Sequence, residues 1–149
     1  MAQATIPLAQ LYEQDYARWL DEMVGALRAG NLSQLDYEHL IEELEALGRS
    51  ERNAVASLTI QILVHLLLYK YWDVERERNG RHWQVEILTF RTQLNLKLST
   101  HLRNYLEQNL NTLYKKAYKI AVLKSQLSLP QDNPFALEEV IDEDWLPKI

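Results

Sequence analysis

The sequence predicts an all-α fold: a mostly antiparallel bundle of about five helices, closed by a short C-terminal helical turn. Three observations carry that reading. The 149 residues include only four Gly and four Pro, so long stretches lack the punctuation of turn-rich β chains. Apolar residues recur in alternating steps of three and four rather than two. With 47% of its residues hydrophobic, the chain can bury a real core. It is therefore expected to form one helical domain over 1–149, with a body at 8–128 and a proline-flanked acidic segment at 129–149.

Each element has its own warrant. Leu8 to Ala29 carries Leu8, Tyr12, Tyr16, Trp19, Met23 and Leu27 at helical spacing, and Gly30 is the expected stop. Asp36 is a plausible N-cap for a second helix running to Leu47. Gly48 is expected to break or kink the chain, with Ser50 capping a third helix from about Glu51 to Asp73. That helix has Val55, Leu58, Ile62, His65, Tyr69 and Trp72 in one stripe and Ile60, Leu63 and Leu67 in another, so it belongs at the centre. Its apolar stretch Ala54–Trp72 is nearly membrane length. Gln61, His65 and Lys70 interrupt it, which favours a buried helix over a membrane span.

The run "ERERNGRH" at 75–82 is expected to be a charged turn centred on Asn79-Gly80. Trp83, Ile87, Phe90 and Leu94 mark a fourth helix. Ser99 or Thr100 caps a fifth, with Leu102, Leu106, Leu110, Leu113, Ala117 and Ile120 on one face. Beyond Leu129, three prolines surround "ALEEVIDEDW", expected to be a helical turn held to the body by Phe135, Val140 and Trp145.

Composition narrows the function classes. The chain has no cysteine, which excludes disulfides, thiolate metal sites and a cysteine nucleophile and fits a reducing interior. The N-terminal stretch has no basic run followed by an apolar block, so no signal peptide is expected, and the protein reads as soluble and cytoplasmic. Charge is laid out in blocks of −7 over 1–75, +7 over 76–128 and −5 over 129–149. Such blocks pair within a fold, across a dimer, or with a partner.

Chemistry concentrates in "LDYEHLIEELEALG", Leu35 to Gly48. On a helical projection Glu38, Glu42 and Glu45 point away from the apolar stripe, whereas His39 and Glu43 lie beside it and face a neighbouring helix. His and carboxylate one turn apart suit a divalent metal, and His65 on the central helix is the third candidate ligand. The alternative is a structural network, with His65 a hydrogen-bonded core histidine. The metal set is therefore His39, Glu43 and His65, set against a polar inter-helix contact; no cofactor is favoured.

Five segments, "YEQDYARWL", "LRAG", "LDYEHLIEELEALG", "HLLLYKY" and "ALEEVIDEDWLP", resemble in order those of the family catalogued as domain of unknown function 29, abundant in cyanobacterial genomes. The resemblance implies an α-helical domain and supplies no substrate or cofactor. It matches Asp36, His39, Glu42, Glu43 and Glu45 to the family's Asp-x-x-His-Leu-x-Glu-Glu-x-Glu run, and His65 to its His-Leu-Leu-Lys segment. The chain departs at Leu68, where Lys is typical, and at Asn133, where Cys often precedes the proline.

Two further patterns point to nucleic acid. Arg76 and His82 fit the permissive Arg-x(4–6)-His pattern of helical ribonucleases, and Lys115, Lys116, Lys119 and Lys124 with Tyr114 and Tyr118 form a basic-aromatic face suited to single-stranded RNA. The commoner reading of the first is a solvated inter-helix turn, and of the second a solvated face or one paired with an acidic neighbour such as the tail's "DED". The favoured reading is a non-enzymatic interaction or regulatory protein that self-associates and engages an unidentified protein, without a membrane. A metal-binding helical protein and a helical ribonuclease or RNA binder are the alternatives.

Overall fold

The computed structural model describes residues 6–149. The expectation of no signal peptide rests partly on residues 1–5, which lie outside the described residues. Six α-helices follow one another: α1 Leu8–Gln14, α2 Tyr16–Arg28, α3 Tyr37–Tyr71, α4 Asp73–Lys97, α5 Thr100–Ser125 and α6 Leu137–Ile141, with a 3-10 turn at Leu32–Gln34. Among the described residues there is no strand, so the fold is all-α. By contacts the chain divides into two compact units, Met1–Ser50 and Glu51–Ile149.

In the first unit the stretch expected as one helix is two. Asp15 interrupts it: its N–H closes α1 on the Leu11 carbonyl, and its side chain accepts from the Arg18 N–H at 3.1 Å to cap α2. The glycine stop is present. Gly30 has φ +67°, its N–H reaches the Leu27 carbonyl and that of Asn31 reaches Ala26, the paired bonds of a Schellman end. Leu11, Trp19, Met23, Ala26 and Leu35 form this unit's core.

Gly48 neither breaks nor reverses the chain, correcting the expected second and third helices: α3 continues through it. A helix-interior glycine costs only about 1 kcal/mol relative to alanine, and the Glu, Leu, Ala and Arg around it favour the helix. Among the described residues α3 is the helix long and apolar enough to cross a membrane by length and composition, but most of that apolar window is buried within the protein.

In the second unit the reversal expected at Asn79-Gly80 occurs instead at Trp72, and α4 runs straight through the charged run. Arg76 explains the shift. Its Nε donates to the Tyr69 carbonyl at 2.5 Å and its Nη2 to the Lys70 carbonyl at 2.8 Å, satisfying carbonyls that the end of α3 leaves unpaired. Gly80 gives the Arg76 side chain room, since a Cβ there would lie 3.0 Å from the Arg76 Cγ. Gln84 donates to the Tyr69 hydroxyl, Trp83 stacks on Trp72 and Phe90 packs near His65. As α4 advances its partners on α3 recede, so the two helices are antiparallel. Ser99, as expected, caps α5 by accepting from the Leu102 N–H.

The closing segment is held as expected by buried Phe135 and Val140, but also by a residue that periodicity does not reveal. Arg91, 1% exposed, donates to the carbonyls of Glu139 (2.8 Å), Val140 (2.8 Å) and Trp145 (2.6 Å). Asn95 donates to the Ile141 carbonyl, so the last three carbonyls of α6 are answered from α4, and that of Glu138 by the Asp142 N–H. Burial lowers the Arg91 pKa to about 10, against the opposing pull of Asp142 and Glu143, and leaves the guanidinium charged at neutral pH.

Leu66→Ala, at a fully buried position, is expected to destabilise the chain by about 2–5 kcal/mol in urea unfolding. Arg91→Met leaves three carbonyls without donors and is expected to cost about 3 kcal/mol, with proteolysis appearing first in the segment after Leu129. Wild-type-like stability in either variant would contradict the packing described.

Candidate functional site

The site residues of the opening motif gather in the first unit, where α1 and α2 bring aromatic side chains to the start of α3. Tyr12, Tyr16 and Trp19 share one helical repeat, interrupted only by the cap at Asp15. They meet the inward edge of α3, where Asp36, His39 and Glu43 follow one another at one-turn spacing. Periodicity marks the three aromatics as core. It does not show that each of their polar tips finds a carboxylate.

Asp36 is the hub. Its Oδ1 accepts from the His39 backbone N–H at 3.4 Å, a long capping contact, and its Oδ2 accepts from the Trp19 indole at 3.0 Å and the His39 Nδ1 at 2.7 Å. Its own backbone N–H points at the Met23 sulfur. One carboxylate thus starts α3, orients the imidazole and ties down a fully buried tryptophan. Glu43 is the second anchor: Tyr12 donates to its Oε1 at 2.5 Å and Tyr16 to its Oε2 at 2.7 Å. The Tyr12 ring lies flat on the His39 ring with centroids 3.9 Å apart and planes 15° apart, and meets Trp19 edge to face.

These contacts set the protonation states. Burial pushes the Asp36 carboxyl up, but the hydrogen bonds from His39 and Trp19 outweigh it and the pKa falls below its ordinary value. Glu43 is lowered chiefly by the Tyr12 hydroxyl and then by that of Tyr16. The same bond pushes Tyr12 up to about 12, and Tyr16 rises for the same cause. His39 is raised by its hydrogen bond to Asp36, against a smaller opposing effect of burial.

The structure brings His39 and Glu43 into this one cluster, yet they are not each other's hydrogen-bond partners: His39 pairs with Asp36 and Glu43 with two phenols. His65 lies in the second unit, much further along α3. It is a buried core histidine whose Nδ1 bonds the Gln61 carbonyl at 2.7 Å, and burial lowers its pKa. Among the described residues, no group of three or more His, Cys, Asp or Glu is placed to hold a metal ion. What the cluster offers chemically is an imidazole held by the Asp36 carboxylate at Nδ1 and stacked on Tyr12, with no hydrogen bond from its Nε2 among the described residues.

The nucleic-acid patterns fare differently. Arg76 spends its guanidinium on two carbonyls and on Asp73, 2.5 Å away, and Asn79 donates to Glu75. Tyr114 is buried and its hydroxyl bonds the Pro130 carbonyl, so it offers no face to a base. The four lysines of α5 are exposed.

With this geometry in view, the family described as Domain of unknown function DUF29 matches residues 11–146. The chain belongs to that family. The matched stretch includes every residue of the cluster, from Tyr12 to Glu43, as well as Arg91. No curated protein and no solved structure matches the chain.

The pKa directions fix a pH profile for the cluster. Asp36 and Glu43, lowered by folding, contribute stability that is present above the ordinary carboxylate range and lost as pH falls through their folded values. His39, raised by folding, contributes stability that is full below about 6.5 and lost as pH rises through its folded value. Tyr12 behaves likewise, with its contribution lost as pH rises through about 12. The cluster's own contribution is therefore greatest in mildly acid buffer, whereas buried His65, its pKa lowered by folding, acts in the opposite sense and contributes stability that is present above about 6.5 and lost as pH falls. His39→Gln should remove the cluster's loss of stability above about 6.5 and leave the acid limb. An imidazole titration by NMR, assigned by loss of the signal in that variant, should place the His39 midpoint above about 6.5; a midpoint below it would contradict the Asp36 bond.

Proposed function

We propose that this protein is a non-enzymatic interaction or regulatory protein of the cytoplasm that self-associates through its helical surfaces. The observation that carries the reading is an uncovered apolar surface on the first unit. Leu20, Val24 and Leu27 of α2 and Tyr37, Ile41, Leu44 and Leu47 of α3 are all exposed. Half-exposed side chains of this number present on the order of several hundred Å², the scale that marks an interaction surface.

The two stripes lie on the same side of the unit. Tyr16 meets Glu43, Trp19 meets Asp36 and His39, and the Met23 sulfur meets the Asp36 N–H, so α2 and α3 run antiparallel. Leu27, Leu20 and Val24 lie roughly 40° to 100° round from Met23, and Leu47, Leu44 and Tyr37 lie roughly 80° to 160° round from His39 in the same rotational sense. On antiparallel helices, equal senses of rotation lead to the same side of the pair. The composition supports the rest of the reading: a cysteine-free chain suits a reducing compartment.

The metal and nucleic-acid alternatives have less behind them. The cluster's carboxylate oxygens already accept protein hydrogen bonds, and Arg76 and Tyr114 are engaged elsewhere.

Light scattering across a concentration series, in low and high salt, tests the proposal. A mass above that of one 17.5 kDa chain, rising with concentration, is the expected outcome; a monomer under every condition would end it.

A further inference from the structure

The charge around the uncovered face indicates what covers it. The first unit, residues 1–50, has three arginines against nine acidic side chains, a net of −6; exposed Glu45 and Glu38 lie roughly 40° to 60° beyond Ile41 at the outer edge of the α3 stripe, and exposed Asp21 lies with Arg28 beyond Val24 at that of α2. Pairing this face with its own copy would bring like charges together. The complementary chemistry exists elsewhere in the same chain. On α5, Leu123 is 80% exposed and Ile120 37%. Lys116 and Lys119 lie on their face, with Lys115 and Lys124 at its margins, all within roughly 180° of the helix. No acidic residue interrupts the run from Lys115 to Lys124. None of the four lysines is in a salt bridge among the described residues.

We infer that the acidic-rimmed apolar face of the first unit docks on the lysine-rimmed Ile120–Leu123 face of α5 in a second copy of the chain. The inference rests on the self-association proposed above and names its two surfaces. Apolar side chains meet at the centre, and carboxylates meet ammonium groups at the rim. The rim confers orientation and encounter rate more than affinity. In a two-fold dimer each contact is made twice, because each copy supplies one face of each kind. The acidic-with-basic arrangement also disfavours the like-with-like dimer, which gives specificity.

The test uses the full chain and two exposed positions, Leu44→Asp on α3 and Leu123→Asp on α5, where substitution removes no buried contact. Circular dichroism and thermal unfolding check that each variant keeps its fold, and Lys119→Glu provides a second variant on the α5 face that leaves the apolar centre intact. Each substitution is expected to raise the self-dissociation constant by about tenfold or more, since it places a carboxylate against apolar surface or, for Lys119→Glu, against carboxylates. Raising the salt should weaken the wild-type association by screening the rim. An equimolar mixture of Leu44→Asp and Leu123→Asp should associate more strongly than either alone, because a mixed dimer keeps one unaltered contact. A dimer that Leu123→Asp and Lys119→Glu leave intact, or a mixture no better than its components, overturns the inference while self-association stands. A wild-type monomer at every concentration and salt overturns both.

Discussion

Eight consecutive residues of α3, Ile62 to Tyr69, are buried, and a helix enclosed on every side needs neighbours on every side. That constraint organises the second unit. Antiparallel α4 supplies Trp83, Ile87 and Leu94, α5 supplies Leu102, Leu106, Leu110 and Leu113, and the closing segment adds Phe135, Leu137 and Val140. A short helix such as α6 has too little surface of its own to stay folded. It persists because the core needs its apolar side and because Arg91 answers the carbonyls it leaves bare. The two polar residues within the buried run of α3 and just before it solve their problem locally: Thr59 donates to the Val55 carbonyl and His65 bonds that of Gln61.

The first unit is organised differently, around hydrogen bonds at the edge of a small core. Five buried residues make a modest apolar centre, and two carboxylates do what further core would do in a larger unit. Asp36 links three structural jobs, so removing it would uncap a helix, release an imidazole and strand a buried indole together. Such coupling makes the cluster a unit rather than a set of separate contacts. It also leaves His39 the most perturbable of its members near neutral pH, since the phenols and carboxylates titrate far from there.

Much of the fold was legible in the sequence, because burial on one helical face writes a three-and-four spacing that needs no tertiary knowledge. The central stripe of α3 was readable in this way, the Gly30 stop and the Ser99 cap from the chemistry of helix ends, and the docking of Phe135 and Val140 from apolar residues in an otherwise acidic segment. The breaks were harder. Gly48 and Asn79-Gly80 look like punctuation, yet glycine's cost inside a helix is small, and strong neighbours override it. Of the true interruptions, Asp15 is a residue type that favours helix N-caps but sits inside an unbroken apolar stripe, and Trp72 has no particular tendency to end a helix. Of the cluster, His39 and Glu43 were placed on the right edge of the right helix, but their partners were not. A tyrosine in a core stripe looks the same in sequence whether its hydroxyl faces water or a carboxylate. Arg91 was invisible for the same reason: it occupies a core position of the α4 stripe, where a charged residue looks like an exception until the carbonyls it meets are seen.

The connection between α3 and α4 is a single residue, Trp72, and that brevity limits how the chain can change in length. Each residue inserted there would turn α4 by about 100° and advance it by about 1.5 Å. Trp83, Ile87, Arg91 and Leu94 would leave the core together, and the grip on the closing segment would go with them. The stretch from Gln126 to Ala136 imposes no such gearing, because it joins α5 to α6 as irregular chain. Length variation among relatives should therefore accumulate there and be absent at Trp72, so that the hairpin of α3 and α4 behaves in evolution as one inseparable piece.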